Sequence, residues 1–221
     1  MKSVIICLLL LTSSYVFAQN ENTLSVQIDG KEFKTAPRRI RMGSVWYITA
    51  NAVKPDKSLR FWFANFNKTE LPEVGQYLIV EENYSNKEIK QLAAEGKYKG
   101  IAFVKYVEET KTPRMEYHVG KSRHTNGGVI EVTTSNTNVI EGKFTANLDG
   151  THFKEKATAT AFGGVGRIIN KMEDKAVTSA TGYDSDIDPE GNGYKRTDQK
   201  DELVLTSGVF RLQLTKTEPA K

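Results

Sequence analysis

Cysteine is nearly missing from this chain of 221 residues: Cys7 is the only one. No internal disulfide can form, so the fold rests on its core alone. Histidine is almost as scarce, with His118, His124 and His152 the full set. Nor is there an excess of one charge. Thirty-one Lys and Arg against 27 Asp and Glu leave +4, too small a surplus for a dedicated nucleic-acid binder. No Gly-x-Ser-x-Gly elbow occurs. Gly163-Gly164-Val165-Gly166-Arg167 lacks the Gly-Lys-Ser/Thr ending of a phosphate loop and the spacing of a dinucleotide fingerprint. With 38% apolar and 26% charged residues, the chain is of ordinary globular composition, neither disordered, collagenous nor coiled-coil.

The one unbroken apolar run is Val4–Leu11, shorter than the about 20 residues a membrane anchor needs. Lys2 precedes it, and Val16-Phe17-Ala18 follows as a cleavage-site pattern. This is the order of a secretory signal peptide, residues 1–18, with cleavage expected after Ala18. Ile5-Ile6 before Cys7 do not match a lipidation site, so an exported chain without a lipid anchor or membrane span is expected. The remaining 203 residues suit a single β-domain.

Alternation is the dominant pattern in that domain. Leu24–Ile28, Asp29-Gly30 and Lys31–Lys34 read as a hairpin, because Asp-Gly supplies the two positive φ angles of a type I′ turn. Val45–Asn51 and Ser58–Phe66 read as a pair across Lys54–Lys57. Gln76–Val80, Ile101–Val107, Met115–Val119, Val129–Thr134, Val139–Leu148 and Leu203–Leu214 continue the series. Asn126-Gly127 predicts a second hairpin, and Ser135–Asn138 a turn. Leu148–Lys154 repeats four of the seven residues of Ile28–Lys34, which suggests that the Asp-Gly hairpin is reused. One stretch has helical spacing instead: Ser85 and Glu88 form a capping box, Ile89, Leu92 and Ala93 share a face, and Gly96 stops the run. The expected fold is an all-β antiparallel sandwich, with a barrel as the alternative. It carries a short helix at 86–95 and a long, glycine-rich insertion at 163–200 before the last strand.

Three sets of residues suggest binding. If Val45–Asn51 pairs with Ser58–Phe66, parity places Trp46, Ile48, Ala50, Trp62, Ala64 and Phe66 in the core. Tyr47, Phe61 and Phe63 then lie on the other face, as a platform for a glycan or for a partner protein's side chains. Asp184, Asp186 and Asp188, with Asn192, resemble the start of a calcium loop. Pro189 stands where that loop wants glycine, however, and Lys195 where it wants a closing glutamate. Basic residues at Lys31–Arg41 and Lys111–Arg123 suit a solvated sheet edge. The histidines read as ordinary surface residues, since His118 and His124 are about 20 Å apart on an extended chain.

Val26–Phe33, Gly75–Leu78, Gly128–Thr133, Val139–Phe144 and Leu205–Phe210 together resemble a family of exported β-rich proteins of unknown function from Bacteroidota-type Gram-negative bacteria. The resemblance implies an exported, sandwich-like fold and carries over no catalytic residues. Many members of that family bear a lipoprotein cysteine, which this chain lacks. The leading expectation is a non-catalytic binding or structural module of the cell envelope, in the periplasm, at the cell surface or outside the cell. Its alternatives are an exported hydrolase with paired carboxylates and a calcium-stabilised module.

Overall fold

The computed structural model describes residues 21–42, 45–51, 57–110, 116–155 and 194–214. They form eleven strands and one helix: β1 (Thr23–Ile28), β2 (Lys31–Thr35), β3 (Arg38–Met42), β4 (Val45–Asn51), β5 (Lys57–Asn65), β6 (Gly75–Ile79), α1 (Asn86–Glu95), β7 (Gly100–Thr110), β8 (Glu116–Ser122), β9 (Gly128–Ser135), β10 (Val139–Glu155) and β11 (Tyr194–Gln213). Local chemistry accounts for the best-predicted parts. Asp29 and Gly30 take φ of 48° and 75°, closing the β1–β2 hairpin as its sequence requires. Ser85 caps α1 while the Glu88 side chain returns to the Ser85 amide, and Gly96 ends the helix in the left-handed region. No helix among the described residues is long and apolar enough to cross a membrane.

The strands make one mostly antiparallel sheet in the order β2-β1-β11-β10-β9-β6-β7-β5-β4-β3, and only the β6–β7 pair is parallel. This sheet folds over itself into a sandwich-like body. Phe61 of β5 meets Phe144 of β10 at 5.3 Å and Phe210 of β11 at 5.4 Å between ring centres. Trp46, Ile48, Phe63, Leu24, Leu148 and Leu205 fill the same core. The two edge strands are joined through Ala36-Pro37, so the sheet's borders meet at one corner. There Asn22 donates to the Pro37 carbonyl and accepts from Gln213 N.

The structure corrects four expectations. Trp46 lies opposite Phe63, and Ile48 opposite Phe61, so the apolar rows of β4 and β5 face the same side. Phe61 and Phe63 are completely buried, whereas Tyr47 lies on the outer side beside Trp62. The three residues therefore share no platform: the register runs one residue away from the parity assumed, and each such step exchanges the faces. Asn126-Gly127 joins no hairpin. β8 and β9 run end to end along β10, with Ser122 opposite Leu148 and Gly128 opposite Ala146. Asn147 holds the intervening residues, its amide N–H donating to the Gly127 carbonyl and its side-chain Nδ2 to the Asn126 backbone carbonyl. Asp149-Gly150 is strand interior, not a reused turn, because β10 continues to Glu155. The insertion expected to reach residue 200 ends earlier, since β11 starts at Tyr194, opposite Glu155.

The end-to-end arrangement forks the sheet. Between β7 and β10 one end holds β9 and β6, and the other holds β8 alone. Ser122 sits at the fork, buried, accepting from Val104 N at 3.2 Å and donating to the Val80 carbonyl at 2.7 Å. Ser122→Ala strands both backbone groups away from water. Its expected cost is about 1–3 kcal/mol of unfolding free energy, read from denaturant midpoints at unchanged m-value.

Candidate functional site

Alternation along each strand sends every second side chain into the core, and at one rim these inward rows change chemistry together. On β2 the row passes from Phe33 to Lys31, on β5 from Leu59 to Lys57, and on β7 from Tyr106 to Glu108. On β8 it passes from Gly120 to His118, on β10 from Leu148 through Gly150 to His152, and on β11 from Leu203 to Asp201. The mouth so formed is a pocket of about 250 Å³, also lined by Ile28, Asp29 and Glu32.

His118 and His152 are direct cross-strand partners of β8 and β10. Their rings stack with centres 4.0 Å apart and planes 12° from parallel. Asp201 reaches across from β11 and divides its carboxylate between them, Oδ1 to His118 Nε2 at 3.0 Å and Oδ2 to His152 Nε2 at 3.1 Å. The space it crosses exists because two partnered positions are glycine. A Cβ on Gly150 would stand 1.7 Å from Asp201 Oδ1 and 2.9 Å from His118 Nε2, and one on Gly120 would stand 2.5 Å from Leu203. The sequence thus leaves side chains out so that the three polar groups can converge.

A second group borders the first. Tyr106, buried, sets its ring edge-on to His118 at 6.4 Å and donates its hydroxyl to Glu108 at 2.9 Å. Lys57 holds the other Glu108 oxygen at 2.8 Å. Burial, reinforced by the Glu108 contact, pushes the Tyr106 hydroxyl above its usual range, so it remains a donor. Burial also pushes the Glu108 carboxyl up, but the hydrogen bonds from Lys57 and Tyr106 prevail and leave it below the ordinary carboxylate range. Asp201 behaves likewise: partial burial opposes ionisation, and the two histidines overcome it.

One donor atom from each of His118, His152 and Asp201 can be chosen so that all three lie within 4.8 Å of one another, a cluster capable of coordinating a metal ion. A small divalent cation about 2.1 Å from each donor needs donor separations of about 3–3.5 Å. The two His–Asp separations already fall near that range. The side chains are 18%, 22% and 39% exposed, open to solvent yet backed by the core.

The fold and this cluster define a β-sandwich-like domain with a candidate metal centre at its rim. No family model, no curated protein and no solved structure matches the chain.

None of the three donors stood out in the sequence: His118 and His152 read as ordinary surface residues, and Asp201 carried no motif. His124, six residues from His118, has other partners: Glu81 at 2.8 Å through Nδ1, Glu88 at 3.2 Å through Nε2, and the Tyr84 ring. Asp184, Asp186, Asp188 and Asn192 lie outside the described residues. A larger groove of about 540 Å³ opens on the outward rows of β7, β8 and β10, between Lys105, Lys121, Asp149 and Arg196. Among the described residues its lining includes no histidine and no metal-holding group, so the smaller rim pocket is the better candidate despite its size.

Two outcomes test this geometry. Gly150→Ala should cost about 1–3 kcal/mol by driving the carboxylate off the histidines, and should cost less in an Asp201→Ala background, where only the His118 ring, 2.9 Å from the new Cβ, has to shift. Because the folded-state pKa of Asp201 is lowered, its stabilisation is complete above its unfolded pKa of about 3.9 and is lost as pH falls through the folded value. Denaturant unfolding followed downward from about pH 5 should therefore show a shallower acid loss in Asp201→Asn than in the wild type.

Proposed function

We propose that this protein is an exported, non-catalytic binding module of the cell envelope, whose ligand is a divalent transition-metal ion held by His118, His152 and Asp201. The convergence of two stacked imidazoles and one carboxylate over a glycine-lined gap carries this reading. Two nitrogen donors and one oxygen suit zinc, cobalt, nickel or copper, whereas calcium takes six to eight oxygens. The lining acids Asp29, Glu32, Glu108 and Asp201 outnumber the lysines Lys31 and Lys57, a balance that attracts a cation. The signal-peptide pattern of residues 1–18 supports export, and the resemblance to exported β-rich envelope proteins points to the same compartment.

The placement of Glu108 favours binding over hydrolysis. Its two oxygens are committed to Lys57 and Tyr106, so Glu108 is not free to activate a water molecule.

Zinc or cobalt added to the purified protein should raise its melting temperature, with about 2.7 kcal/mol of added stability at one hundred times the dissociation constant. Calcium should shift it far less. His118→Ala, His152→Ala and Asp201→Ala should each abolish the zinc response, read by thermal unfolding and by calorimetric titration. Zinc stabilisation that survives all three substitutions would place the ion elsewhere.

A further inference from the structure

We infer that the cation, once held, binds a small carboxylate ligand between its open coordination positions and the Lys31 ammonium; this rests on the metal reading above. Three donors leave a tetrahedral ion one position short and an octahedral ion three positions short. The three donors line a pocket with far more room than an ion needs. At about 30 Å³ per water molecule, its 250 Å³ holds roughly eight waters. A ligand of several non-hydrogen atoms fits there.

The charges select the ligand's sign. A divalent ion with Asp201 bound is a centre of net charge +1, which seeks an anionic donor. Glu108 is already neutralised by Lys57 at 2.8 Å, so it adds little repulsion. Asp29 is turned to the backbone, its carboxylate accepting from Val204 N at 2.9 Å while its own amide donates to the Val204 carbonyl. This leaves Glu32 as the opposing acid on the pocket wall and Lys31 as the cation at its lip.

Lys31 is well placed for the second contact. It follows the Asp29-Gly30 turn directly, pairs with Ile28, and occupies the inward row of β2, whose next member is the buried Phe33. The type I′ turn fixes the backbone at this position, and Lys31 lines the same pocket as the three donors. A dicarboxylate can place one carboxylate on the ion and the other on Lys31. A monocarboxylate makes only the first contact.

The test uses the full protein loaded with one equivalent of cobalt(II), whose visible absorption reports coordination, and titrates it with malonate or acetate. Malonate should give a saturable spectral change and bind about tenfold or more tightly than acetate, the gain expected from one additional charge-assisted hydrogen bond. At full cobalt loading, Lys31→Ala should raise the malonate dissociation constant about tenfold and leave acetate unaffected, while Lys31→Arg should retain tight malonate binding. A loaded protein whose spectrum neither anion changes, or a malonate affinity insensitive to Lys31→Ala, overturns the inference while the metal site stands. If cobalt itself fails to bind at His118, His152 and Asp201, the metal reading falls and this inference falls with it.

Discussion

Backbone pairing along β10 is the constraint on which the rest of the molecule depends. Its seventeen residues pair with β11 on one side and with β9 and then β8 on the other, so its amides and carbonyls serve three strands. Because the side-chain period is two, this ladder also decides which residues face inward. The row Ile140, Gly142, Phe144, Ala146, Leu148, Gly150 and His152 runs from deep core to solvent on one continuous strand. A bulge opposite Phe144–Ala146, where Ser207 takes a φ of 54°, restores the parity of β11 so that Leu205, Leu203 and Asp201 follow the same wall. Without that extra residue Asp201 would point away from the histidines.

The same ladder explains how a polar site can stand beside an apolar core at small cost. Desolvating a carboxylate is expensive unless hydrogen bonds compensate, and here two imidazoles provide them. Glu108 is compensated in the same manner by Lys57 and Tyr106. The two groups are linked by the Tyr106 edge against the His118 ring, so each supports the position of the other. The glycines contribute by omission: at Gly120 and Gly150 the inward row lacks a side chain, and the polar groups from neighbouring strands occupy the room.

Much of the fold was legible in the residues. Asp29-Gly30, the Ser85–Glu88 capping box, Gly96 and the alternating strands each act within a few residues of themselves, and each appears in the structure as its local chemistry dictates. What failed depended on partners distant in sequence. Asn126-Gly127 has hairpin composition, but β10 offers a longer ladder to both flanking strands, and the five residues between them become a bridge instead of a turn. The aromatic platform failed by one residue of register between β4 and β5, a shift with no local signal because both parities offer apolar side chains. The metal cluster was invisible for the same reason. His118 and His152 stand 34 positions apart, and the only hint is a mirrored spacing, His118-x-Gly120 against Gly150-x-His152, that gains meaning once the two strands are known to pair.

By itself the sequence determined that the chain is built of alternating strands with a capped helix and no internal disulfide, because alternation and turn chemistry act over short range and a single cysteine has no partner in the chain. Only the tertiary structure decided which strands became neighbours and in what register. Those choices depend on long-range pairing and on the space left by Gly120 and Gly150, and they alone brought His118, His152 and Asp201 within reach of one ion.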